Sequence, residues 1–110
     1  MTTPARDLVA AAFSDALGRA ARQHGWQGTE GVPIDVEVPA NVEHGDYATS
    51  IPMRLAKTLR KPPRDIANAI KDQLDLRPPL AAAEVAGGGF VNVRLDEPWL
   101  RRQLDRKSVV

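Results

Sequence analysis

Apolar positions change period several times along this chain, and each change marks an element. Leu8, Ala12 and Ala16 form one row and Val9, Phe13 and Leu17 the next. Together they make a stripe at helical spacing, wide enough to pack on a sheet. Thr3 before Pro4 reads as the start of that helix and Gly25 as its stop. Ile34, Val36 and Val38 then alternate with Asp35 and Glu37. This predicts a strand over 32–38 with the three aliphatics facing inward. Ala48, Ile51, Leu55 and Leu59 return to helical spacing. Pro39, Asn41 and Gly45 mark the turn between strand and helix, and Asp46 is placed to cap the helix. Pro52 falls inside the helical pattern. Either it kinks the helix, or the helix begins nearer Ser50 with 47–49 as an irregular first turn.

The sequence Lys61-Pro62-Pro63 breaks this helix, and Ile66, Ala69, Ile70 and Leu74 form the buried row of a third, ending near Asp75. Arg77-Pro78-Pro79 reads as an extended connector. Two strands follow, 84–86 and 90–95, joined by Gly87-Gly88-Gly89 as a tight hairpin. In the second strand Val91, Val93 and Leu95 share one face, while Phe90, Asn92 and Arg94 share the other. The aliphatic face belongs to the core, so Phe90, Asn92 and Arg94 are expected to point away from it. Asp96 caps a last helix with Pro98 in its first turn and a narrow apolar stripe of Trp99, Leu100 and Leu104. The order is α-β-α-α-β-β-α. It predicts a two-layer α+β domain, a small antiparallel sheet covered by helices on one face.

Composition narrows the picture little. The chain has 110 residues, 43% hydrophobic and 26% charged, which suits one domain with one core. It has no cysteine, no apolar run long enough to span a membrane and no signal-peptide pattern at its start, so a cytoplasmic location is expected. Charge distribution is more informative than the net value of +1. No Lys or Arg occurs between Gln23 and Met53, after which Arg54, Lys57, Arg60, Lys61 and Arg64 arrive. Arg101, Arg102, Arg106 and Lys107 form a second basic group. Such asymmetry suits a polyanion-facing side, and it equally suits two solvated helix faces.

Candidate chemistry is sparse. His44 and Asp46 could serve as an acid–base pair, but no nucleophile with an adjacent base accompanies them. The alternative is that they satisfy backbone groups of the turn. His24 and His44 match no metal motif, and the triple glycine lacks the Lys-Ser/Thr of a phosphate-binding loop. The trio on the last strand is more suggestive. Phe90 can stack on a base, Asn92 can read its edge and Arg94 can hold a phosphate.

Four segments together resemble the N-terminal additional domain of arginyl-tRNA synthetases. They are His44-Gly45-Asp46-Tyr47-Ala48-Thr49, Leu55-Ala56-Lys57, Pro63-Arg64-Asp65-Ile66-Ala67 and the strand region from Val85 to Leu95. They occur in the family's order and at similar spacing, over about residues 6–104. The resemblance implies a domain at 1–95, followed by a C-terminal linker helix at 96–110 leading toward an absent catalytic domain. It implies a non-catalytic module of an arginine–tRNA ligase that grips the D-loop and outer corner of arginine tRNA. Phe90 and Asn92 match the family's base-contacting aromatic and amide. Arg94, Arg54, Lys57, Lys61 and Arg64 are then candidates for phosphates, and His44, Gly45, Asp46 and Tyr47 form a structural turn. No cofactor is expected in this chain, since ATP and Mg2+ would belong to the catalytic domain. The implied partners are arginine tRNA and a synthetase catalytic domain, with no DNA and no membrane, and the chain is expected to be a monomer. Two departures stand out: Gly88 replaces the family's usual proline, and Pro52 interrupts a helix normally free of it. The competing reading is a free-standing protein-interaction module that docks through the last helix.

Overall fold

The computed structural model describes residues 5–39 and 45–108, with side chains as far as Arg102. The elements are α1 (Ala5–His24), β1 (Tyr47–Thr49), α2 (Ile51–Leu59), α3 (Pro63–Gln73), β2 (Leu80–Ala86), β3 (Phe90–Leu95) and α4 (Glu97–Ser108). This is the expected order of an α+β domain. The strands form an antiparallel sheet in the order β1-β3-β2, so β3 is central.

The first strand differs from its expected place. Residues 32–38 form no regular strand, and Glu37 makes one isolated antiparallel bridge to Ala48. Pro33 lacks an amide donor. The Asp35 carboxylate turns toward β1, where it accepts from Thr49 Oγ1 at 3.0 Å and Ser50 Oγ at 2.8 Å. Val36 is buried as predicted, but Val38 is 72% exposed rather than inward. The pairing strand is instead Tyr47–Thr49, in register Tyr47↔Val93, Ala48↔Asn92 and Thr49↔Val91.

Asp46 does not cap α2. Its amide donates to the Val93 carbonyl at 2.9 Å, and its Oδ2 accepts from the Leu95 amide at 2.8 Å. It therefore laces the chain onto β3 just before β1. Gly45 has φ +120°, and a Cβ there would lie 2.8 Å from the Val93 carbonyl oxygen. That close approach requires glycine. The helix starts at Ile51, with Pro52 in its first turn and no cause for a kink. Its N-terminus is served by the more distant Asp35, whose Oδ2 accepts from the Ser50 amide at 3.0 Å, and by Thr49 Oγ1, which accepts from the Ile51 amide.

One face of the sheet is covered. Val91 and Val93 join Ile51, Leu55, Ile66 and Ile70 in a core that also takes Val9 and Phe13 of α1. α3 contacts β2 and β3, while α1 packs mainly against α3 rather than on the sheet. Arg19 reinforces the α1–α3 contact by donating to the Gln73 carbonyl, one of the orphan acceptors at the end of α3. Gly25 closes α1 with φ +69°, and Asp96 caps α4 by accepting from the Trp99 amide at 2.9 Å, both as expected.

Candidate nucleic-acid interface

The other face of the sheet is open. Alternation along β3 places Phe90, Asn92 and Arg94 there, opposite the aliphatic pair. Most of their cross-strand neighbours are small: Ala86 faces Phe90, Ala82 faces Arg94 and Ala48 faces Asn92 on one side, with Glu84 opposite Asn92 on the other. Short side chains beside longer ones leave a hollow. A cleft of about 410 Å³ opens there, with Phe90, Asn92, Ala48 and Ala86 in its lining. The bridge between Glu37 and Ala48 supplies the far wall, formed by Glu37, Val38 and Pro39. Val38, which the alternation placed in the core, is thus an apolar rim of this cleft.

Asn92 differs from expectation in one respect. It lies on the open face but is only 4% exposed. It lines both the main cleft and a smaller hollow of about 70 Å³ shared with Glu84 and Arg94. Phe90 is half-buried. Its ring packs over the hairpin turn, 3.3 Å from where a Gly87 Cβ would stand.

The expected cations are exposed, and none of them lines the cleft itself. Arg94 lies on the open face beside Asn92. Arg64 of α3 donates to the Gly87 carbonyl at 2.5 Å, at the hairpin end. Arg54 of α2 lies 4.0 Å from Asp35, close to the wall segment. Lys57 is exposed on α2, and Lys61 is exposed in the link to α3. Of the turn residues, Gly45, Asp46 and Tyr47 sit against β3, while His44 lies outside the described residues.

Two carboxylates, not singled out from the sequence, shape the electrostatics. Burial pushes Asp35 up, but hydrogen bonds from the Ser50 amide and hydroxyl and the Thr49 hydroxyl together hold it below its ordinary value. Glu37 is raised, first by a hydrogen bond to Asp35 and then by burial and the negative charge of the same neighbour. The alternating pattern of 34–38 carried both residues, but only tertiary pairing shows which way they face.

A second crevice, of about 560 Å³, lies between α1 and the loop after it and includes Trp26 in its lining. Trp26 is 9% exposed, and His24 stacks on it at 5.3 Å between ring centroids. No free aromatic face is offered there, in contrast to Phe90.

Fold and cleft together define a small α+β domain whose sheet is backed by helices on one side and open on the other. The sequence matches the family described as the arginyl tRNA synthetase N terminal domain over residues 7–95, and the chain belongs to that family. It is 42% identical over 100 residues to an arginine–tRNA ligase of Anaeromyxobacter sp. (strain Fw109-5), covering 87% of this chain and 16% of that protein. It is also 42% identical over 90 residues to the arginine–tRNA ligase of Geobacillus kaustophilus, covering 80% of this chain and 16% of that protein. The chain thus spans about one sixth of the length of these relatives. Thermus thermophilus arginyl-tRNA synthetase superposes with a TM-score of 0.69 at 32% identity, over 91% of this chain and 15% of that one. The Plasmodium falciparum arginyl-tRNA synthetase shares the fold, with a TM-score of 0.68 at 15% identity. Among the described residues no helix is long and apolar enough to cross a membrane.

Proposed function

We propose that this chain is the tRNA-gripping module of an arginyl-tRNA synthetase and supports arginylation by binding rather than by chemistry. The observation that carries the reading is the cleft. In a chain of this family, an aromatic ring and a nearly buried amide line one hollow on the sheet face opposite the helix-packed core. An unpaired base, such as one of the D-loop at the outer corner of arginine tRNA, stacks on Phe90 and meets the Asn92 amide with its edge. Arg94, Arg54, Lys57, Lys61 and Arg64 then face the flanking phosphates. Adenylate formation, with its ATP and Mg2+, is work for a separate catalytic domain, and this module carries none of it.

Base–aromatic stacking contributes about 1–3 kcal/mol, so the isolated module binds weakly and salt-sensitively. Titrating the chain with arginine tRNA and with a non-cognate tRNA at two salt concentrations tests this. Salt-sensitive binding that prefers arginine tRNA supports a base reader. Salt-sensitive binding without preference leaves only the basic surface at work, and absence of binding by both tRNAs overturns the reading for the isolated chain.

A further inference from the structure

The cleft has a wall that neither the stacking ring nor the amide explains. Glu37 pairs with Ala48 through both backbone groups, each bond 2.8 Å. Residues directly opposite in such a pair put their side chains on the same face. Ala48 is in turn opposite Asn92. Glu37, Ala48, Asn92 and Glu84 therefore form one row across the open face; Glu37 lines the same cleft as Phe90, whereas Glu84 lines the smaller hollow on the far side of Asn92. The nearby cation does not claim this carboxylate. Arg54 lies 4.0 Å from Asp35, and Asp35 itself is occupied by Thr49 and Ser50.

A carboxylate on a cleft wall repels phosphate, so the row admits a base edge and excludes the backbone. It also has a sign. An ionised carboxylate accepts hydrogen bonds and donates none. A base edge that turns a carbonyl toward it is repelled, while an exocyclic amino group is met by a charge-assisted bond. We propose that Glu37 is a specificity-determining residue of this cleft: it accepts from the exocyclic amino group of the base stacked on Phe90, so amino-bearing bases are preferred to uracil. The inference rests on the base-reading function proposed above and adds to it the chemical class of base.

Cytosine and uracil isolate the point, because they differ on that edge by an amino group against a carbonyl, with the adjacent ring nitrogen changing from acceptor to donor. The test uses the full 110-residue chain. The probes are two D-loop RNA hairpins, identical except that the unpaired bases are cytosine in one and uracil in the other. Wild type is expected to bind the cytosine hairpin roughly tenfold more tightly, the scale of one good polar base contact. Glu37→Gln keeps the side-chain size and the backbone pairing with Ala48, so a merely structural role survives the change. Its carboxamide serves amino and carbonyl edges alike, so the preference is expected to fall to about twofold or less. Phe90→Ala is expected to weaken both hairpins and leave their ratio in place. Equal binding of the two hairpins by wild type, or an undiminished preference in Glu37→Gln, overturns the assignment of Glu37. If Phe90→Ala weakens binding in that case, the base-reading cleft still stands. If Phe90→Ala changes nothing, the cleft reading and this inference both fall.

Discussion

Val91 and Phe90 are neighbours on the same strand and serve opposite ends. Val91 and Val93 point into the helix layer, are fully or almost fully buried, and are accounted for by burial energy alone. Phe90, Asn92 and Arg94 point to the other face, where, among the described residues, no helix residue lines either hollow. Folding explains the first set and has no need of the second. Small residues beside the second set deepen the contrast. Ala82 and Ala86 provide no bulk beside Arg94 and the Phe90 ring, so the face is left hollow there, while Asn92, between Ala48 and Glu84, is nearly buried. A face whose side chains are not accounted for by stability is the place to look for binding.

The contrast breaks if substitutions on the two sides have the same consequences. The largest effect belongs to the covered side. Ile66→Ala empties a fully buried site of the core and is expected to cost about 2–5 kcal/mol of unfolding free energy, read by urea denaturation. Below its unfolding transition that variant should bind tRNA as wild type does. On the open side the pattern reverses. Phe90→Ala and Asn92→Ala should each lower tRNA affinity by about 1–3 kcal/mol, a five- to 150-fold change in Kd, while the folded domain persists by circular dichroism. Loss of folding in Asn92→Ala would show instead that the amide is a core group that happens to lie beside a cleft.

Asp35 links the two sides. It holds the start of α2 through Ser50 and lies next to Glu37 of the cleft wall. Asp35→Asn removes a charged acceptor from three hydrogen bonds and is expected to cost about 1–3 kcal/mol at neutral pH. The sign of its pH dependence follows from its lowered proton affinity. Stabilisation by Asp35 is complete above the unfolded carboxylate value of about 3.9 and is lost as pH falls through the lower folded value. Tm of wild type and variant should therefore differ most near neutrality and converge in strong acid. Glu37, with its affinity raised, works the other way. Its contribution is present at low pH and lost as pH rises through the folded value, so it offsets part of the Asp35 effect.

Much of this contrast is legible in the sequence, and the part that is not has a physical cause. The period-2 pattern of 90–95 separates the two faces because one aliphatic run must be buried. The helix stop at Gly25 and the helix start at Asp96 follow from local chemistry. The segment 32–38 misleads because alternation cannot report whether a partner strand is present. Its pairing reduces to one bridge, and Val38 becomes a rim of the cleft. Asp46 looks like a helix cap in sequence, yet the cap is supplied by Asp35 from 15 residues away. The cleft wall is equally invisible, since Glu37 meets Asn92 only by way of Ala48, across two strand pairings.

The smallest expected effect concerns the cations, and it sharpens what the open face contributes. Lys61 is exposed between α2 and α3 and lies outside the cleft lining. If it meets a phosphate, Lys61→Ala should weaken cognate and non-cognate tRNA alike and lower the slope of log affinity against log salt by about 1. Phe90→Ala should do the opposite, leaving the slope intact while lowering affinity at every salt concentration. Stacking releases no counterions, whereas phosphate neutralisation does. A slope that falls in Phe90→Ala would place the ring against the backbone, and the open face would then be a phosphate platform with no base in its cleft.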